Sequence, residues 1–252
     1  MAHHSYHSLA CPEATRIPLP RFRTLAYTMV MPAKNSVRQY EEGGIYHIYN
    51  RGINKQDIFL DKKDYAMFLF YLKLYLEKPE NVKDIDIQKR NYLERKNFYK
   101  NVDLLLYCLM PNHLHLSIKQ EGEKDITSLM RCLMLNYSMY FNKRHNRVGP
   151  LFQGRYKAVL VQNDEYLVHL SRYIHLNPSA KVPNLGEYDY SSYNAYLGNQ
   201  NVDWLNTDLI LDYFANQGED RSGAIKSYKD FVENSKKVDS EKIIGPLALD
   251  NK

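Results

Sequence analysis

Cysteine is scarce in this chain: Cys11, Cys108 and Cys132 are the only three, and no two of them stand at CxxC spacing. That excludes a disulfide framework and a cysteine zinc cluster, and a reducing cytoplasm is the expected compartment. Long apolar runs are missing too. No stretch approaches the roughly eighteen apolar residues of a bilayer-spanning helix, and the greasiest pieces, such as "DLLLYCLM", are soon interrupted by polar residues. A membrane protein is not expected. There is no internal repeat and no low-complexity block. The first thirty residues have neither a helical period nor the apolar core of a signal peptide, so residues 1–30 read as a disordered leader, with Met29 or Met31 as alternative translation starts.

Acid is absent from one segment. Residues 143–157, "KRHNRVGPLFQGRYK", hold five Lys/Arg and no Asp or Glu. Over the whole chain 34 basic residues face 29 acidic ones; residues 201–252 carry 7 against 10, which leaves 27 against 19 for residues 1–200. The positive surplus therefore belongs to the body of the protein. A basic segment interleaved with Phe152 and Tyr156 suits phosphate contact combined with base stacking, although a solvated loop has the same composition.

What is present is a clear succession of periods. "GGIYHIYNRG", residues 43–52, alternates between glycines and reads as a strand. "DKKDYAMFLFYLKLYLEK", residues 61–78, places Phe68, Leu69, Leu72 and Leu76 at helical spacing behind a capping Asp61, and must end before Pro79. Residues 79–101 are charged and without firm period, which predicts an excursion. "VDLLLYCLM" reads as a buried strand, and Pro111-Asn112 turns it into the alternating "HLHLSIKQ", making an antiparallel hairpin. A second helix is expected over 125–145, a short strand over 155–161, and a third helix from Asp164 to the neighbourhood of Pro178.

Strand, helix, two strands, helix, strand and helix in that order predict an α+β domain. The expected form is ferredoxin-like or RRM-like: a four-stranded, mainly antiparallel sheet with helices on one face. The domain is expected over residues 31–195, followed by a helical C-terminal extension over 196–252.

His113 and His115 are two apart on a predicted strand, so both imidazoles share one face while Leu114 points to the other. A metal site, a nucleic-acid contact and an ordinary strand start are all open readings of that pair. On the third helix, Tyr173 and Asn177 are four apart and share a face one turn from each other. A phenol there could act as a nucleophile and an amide oxygen could complete a metal site; a packing tyrosine and a helix-end cap are the plain alternatives. Tyr137 and Tyr140 on the second helix are expected in the core. His175 is expected to be structural or a DNA contact.

Together, "MPNHLHLSI", "GPLFQGRYKAVLVQNDEYLVHLSRYIHLNP" and "YHIYNRG" resemble the REP-associated tyrosine transposases, a branch of the single-tyrosine HUH transposases. HUH stands for histidine, hydrophobic residue, histidine, here His113-Leu114-His115. The resemblance covers roughly residues 40–195 with its three motifs in order. It implies a DNA transposase, a single-strand endonuclease that binds hairpins formed by palindromic repeats and cuts beside the hairpin foot. By position, His113, His115 and Asn177 would hold Mg²⁺ or Mn²⁺. Tyr173 would be the catalytic nucleophile, forming a 5′-phosphotyrosine. Asn50, Arg51, Arg144, Arg147, Arg155 and Lys157 would contact DNA. The protein would be a monomer or a homodimer. Two other functions share much of the pattern: a non-catalytic single-strand binder, which needs no such quartet of residues, and a replication-initiator or relaxase-type HUH nuclease with the same chemistry.

Overall fold

Alternation builds the strands. In the computed structural model, which describes residues 40–82, 96–215 and 220–234, β1 spans Ile45–Arg51, β2 Val102–Met110, β3 His113–Gln120 and β4 Lys157–Leu160. They form one antiparallel sheet in the order β2-β3-β1-β4. With a helix connecting β1 to β2 and β3 lying between them, this is the ferredoxin-like arrangement expected from the order of elements. The leader at 1–30 and residues 83–95 of the charged excursion lie outside the described residues.

Helix α1 (Lys62–Leu76) begins where the Asp61 carboxylate accepts from the backbone N–H of Lys63 and Asp64, and gives way to extended geometry at Glu77, ahead of Pro79. Helix α2 (Asp125–Arg144) buries Ile126, Leu129, Met130, Leu133, Tyr137 and Phe141, the three-and-four spacing of an amphipathic helix. These two helices pack against each other and against β2 and β3. They cover the layer to which Leu114, Leu116 and Ile118 of β3 turn, all fully buried.

Helix α3 (Asp164–Leu176) is capped by Asn163, whose side chain accepts from Tyr166 N–H. It lies on the opposite layer, where the Tyr173 ring meets the rings of His115 and His47. The one-face arrangement expected from sequence thus describes α1 and α2, while α3 covers the second face. Every residue from Leu170 to Leu176 is buried, which a helix touching a single surface does not show. The chain after residue 187 supplies the other cover. Tyr190 O accepts from Leu109 N–H and Tyr107 O accepts from Ser192 N–H, each at 2.9 Å, so this segment lines the free edge of β2. After one-turn helices at Tyr193–Tyr196 and Asp208–Leu211, helix α4 (Arg221–Glu233) packs on α3. There Tyr228 Oη meets His175 Nδ1 at 2.6 Å and Arg172 lies over the Phe231 ring at 4.4 Å. No helix among the described residues is long and apolar enough to cross a membrane.

Candidate active site on the histidine face

Strand register decides which side chains meet. His115 pairs with Tyr49 on β1 and with Cys108 on β2, His113 with Arg51 and Met110, and Ser117 with His47. Tyr49 also faces Lys157 on β4. Directly opposed residues share a face of the pleat, so His47, Tyr49, Arg51, His113, His115 and Lys157 project into one layer.

On that layer the rings of His113 and His115 stand perpendicular at 5.2 Å. Tyr173 presents its ring edge-on to His115 at 5.5 Å and to His47 at 6.2 Å. Strand β3 and helix α3 thus bring together the two histidines and the tyrosine that the sequence singled out. Tyr173 and His115 are fully buried, at 0% exposure, and His113 and Asn177 nearly so.

Each histidine has a neighbour on its Nδ1 atom. His113 Nδ1 lies 2.7 Å from Asn112 Oδ1, and His115 Nδ1 lies 2.9 Å from His47 Nε2. Burial pushes the His47 imidazole down to about 3, so it is neutral at physiological pH. Asn177 continues the helical path of α3 with φ −52° and ψ −42°, keeping it one turn beyond Tyr173. Its Nδ2 donates to the carbonyls of Tyr173 and Ile174, while its Oδ1 is buried with no hydrogen-bond partner. A buried carbonyl oxygen without a partner is costly unless something else meets it.

Imidazole nitrogens and an amide oxygen are donor types compatible with a divalent cation. Among the described residues no group of three or more His, Cys, Asp or Glu is placed to hold a metal. The orphaned Asn177 Oδ1 is the observation that fits such a cation.

The basic candidates separate into two groups. Arg144 is bound to the carboxylates of Asp61 and Asp64, both at 2.5 Å, and this hydrogen bond holds the Asp61 carboxyl well below the usual carboxylate range. Arg147 donates to Asn142 and to the Pro150 carbonyl beside the Phe141 ring. Arg144 ties α2 to α1, and Arg147 ties α2 to the loop that follows it. Asn50 turns to the opposite layer, where its Oδ1 accepts from Arg51 N–H and its Nδ2 donates to Gly154 O. Arg51 and Lys157 stand on the histidine face. Arg155 is exposed and, with Asn50, Arg131, Phe152 and Tyr156, lines a cavity of about 460 Å³. A larger cavity of about 860 Å³ between the start of β2 and the segment around Trp204 contains none of the site residues.

His175 is structural. Its Nε2 is 2.7 Å from Ser192 Oγ and its Nδ1 2.6 Å from Tyr228 Oη, and all three groups are buried. Tyr137 is in the core as expected, donating its hydroxyl to Ile58 O. The site residues that sequence reasoning passed over are His47 and Asn112. The alternation of "YHIYNRG" placed His47 on a face with Tyr49, but only the register with β3 sets that face beside His115.

Residues 78–177 match the family model described as "Transposase IS200 like", a segment that contains His113, His115, Tyr173 and Asn177. The family resemblance drawn from the motifs is borne out by that match. Among solved structures, one described as "Structure of the REP associates tyrosine transposase bound to a REP hairpin" is 18% identical, with a TM-score of 0.47, covering 69% of this chain and 92% of that one. No curated protein matches.

Proposed function

We propose that this protein, whose residues 78–177 match the IS200-like transposases, is a metal-dependent single-tyrosine transposase that cuts and rejoins single-stranded DNA beside hairpins, working in the cytoplasm. The observation that carries the reading is the convergence of His113, His115 and Tyr173 from separate elements on one face of the sheet.

His113, His115 and Asn177 would hold Mg²⁺ or Mn²⁺. When bound, such a cation supplies polarisation of the phosphate oxygens and offsets the charge of the transition state. Tyr173 Oη attacks the scissile phosphorus, the bond from phosphorus to the 3′-oxygen breaks, and the phenolic proton ends on that leaving oxygen. The products are a 5′-phosphotyrosine and a free 3′-OH; attack by another DNA 3′-OH reverses the step and regenerates the phenol. A tyrosine of ordinary pKa, about 10, is a weak nucleophile near neutrality, so placement against the phosphate matters more than basicity. Arg51, Arg155 and Lys157 would contact DNA phosphates. Arg147 and Asn50 act indirectly, by holding the loop that carries Arg155, and Arg144 by tying α2 to α1.

The full burial of Tyr173 and His115 favours one second reading, a hairpin-binding protein in which this constellation no longer reaches a phosphate. A single experiment separates the two. The full chain is incubated with single-stranded DNA hairpins, with and without Mg²⁺ or Mn²⁺, and run on a denaturing gel. A metal-dependent protein–DNA adduct that is lost in Tyr173→Phe, with hairpin binding retained, is the expected result. An intact adduct in Tyr173→Phe would overturn the nucleophile, and tight binding without adduct under every condition would select the second reading.

A further inference from the structure

The hydrogen bonds behind the two histidines fix more than their position. Asn112 Nδ2 donates to the carbonyl of Lys55 at 3.2 Å, which orients the amide so that Oδ1 faces His113. An amide oxygen only accepts, so the His113 Nδ1 atom 2.7 Å away must carry the ring proton. That tautomer leaves the lone pair of His113 on Nε2. The geometry of Lys55 is itself unusual: Asn54 and Lys55 have φ of 52° and 61°, a left-handed pair that is uncommon outside glycine. The carbonyl that orients Asn112 is thus presented by a strained turn.

His115 has an equivalent support from a different strand. His47 Nε2 lies 2.9 Å from His115 Nδ1 with both rings fully buried and nearly parallel, at an interplanar angle of 15°. When His115 uses Nε2 as a ligand, its Nδ1 must be the donor and His47 Nε2 the acceptor. The His47 proton then sits on Nδ1.

We infer that Asn112 and His47 are positioning residues that hold His113 and His115 as Nδ1–H tautomers, so that both Nε2 lone pairs face a divalent cation. This rests on the proposed metal site. The two supports differ in kind: Asn112 works through a fixed amide anchored to Lys55, whereas His47 works through a neighbouring ring. Loss of such a support typically weakens metal binding by about 10–100-fold while leaving the ligands in place.

The test is Mn²⁺ affinity of the full chain by titration calorimetry, without DNA. Asn112→Leu and His47→Leu are each expected to weaken binding by about 10–100-fold. Asn112→Asp, whose carboxylate still accepts from His113 Nδ1 but no longer donates to Lys55 O, is expected to bind more tightly than Asn112→Leu. Loss of Mn²⁺ binding in His113→Ala, together with unchanged binding in Asn112→Leu and His47→Leu, would overturn the inference and leave the metal site standing. Unchanged binding in His113→Ala would instead remove the metal site and the inference with it. Long-range ¹H–¹⁵N spectra of the unsubstituted protein give a readout that survives any folding defect in the variants. They are expected to show His113 as the Nδ1–H form before metal is added, and an Nε2–H form would overturn its assignment.

Discussion

Helix α3 carries two buried polar clusters, and they differ in how completely they are satisfied. Around His175 both ring nitrogens have partners, Ser192 Oγ and Tyr228 Oη, and Ser192 Oγ also bonds to the backbone of Tyr107. Two residues away, on the face toward the sheet, Asn177 Oδ1, His47 Nδ1 and Ser117 Oγ are buried without hydrogen-bond partners. A closed network of this kind rigidifies a fold. An incomplete one costs stability, and its position beside Tyr173 fits the cation site proposed above. One histidine therefore reads as a fastening and the others as a site, although sequence spacing alone treats them alike.

The sharpest way to break this contrast is to disrupt the closed cluster. His175→Ala leaves Ser192 Oγ and Tyr228 Oη short of partners and is expected to cost about 3 kcal/mol in urea unfolding. A cost near zero would show the cluster to be incidental. Acid should act on the same cluster. Burial holds His175 down at about 3, below its unfolded value, so the unfolded chain binds the extra proton between those two values. The contribution of neutral His175 is complete above the unfolded pKa and declines as pH falls toward the folded one. At pH 5 the loss is about 2 kcal/mol relative to neutral pH, and His175→Gln should remove most of it in unfolding curves recorded at both pH values.

The open site should respond in the opposite sense. Asn177→Leu replaces a buried amide whose oxygen is unsatisfied by an apolar group of similar size and is expected to change unfolding by no more than about 1 kcal/mol while removing the metal-dependent DNA adduct. A large loss of stability there would place Asn177 with the structural residues. The smallest effect concerns the surface. Lys157→Ala is expected to reduce the slope of log affinity against log salt for hairpin DNA by about 1, whereas Arg144→Ala should leave that slope unchanged and lower stability.

Much of this was legible in the sequence because periodicity is local. The alternation of β1 and β3, the capping Asp61 and the end of α3 near Pro178 all depend on residues a few positions apart. They place His113 and His115 on one face and Tyr173 above Asn177 with no knowledge of the fold. The partners of those residues were not legible. That His47 meets His115 depends on register between strands far apart in the chain, and a slip by one position would have turned His47 to the other layer. Arg144 shows the same limit in reverse: its acid-free surroundings suggested DNA, but the carboxylates it needs lie on α1. Helix α4 was expected only as part of a helical extension over 196–252, without bounds, because its buried residues Ala224, Tyr228 and Val232 form a sparse stripe in a polar segment.

The pairing of residues 190–192 with β2 has a consequence for the timing of synthesis. An unpaired edge strand invites association with other chains, and β2 is among the most apolar segments of this protein. While the ribosome is still translating between Met110 and Tyr190, that edge has no partner within its own chain. Only when Tyr190 and Ser192 emerge are the backbone groups of Tyr107 and Leu109 covered. Slow translation in that interval, or premature termination within it, would expose the sheet to aggregation even though the histidine pair has already been made.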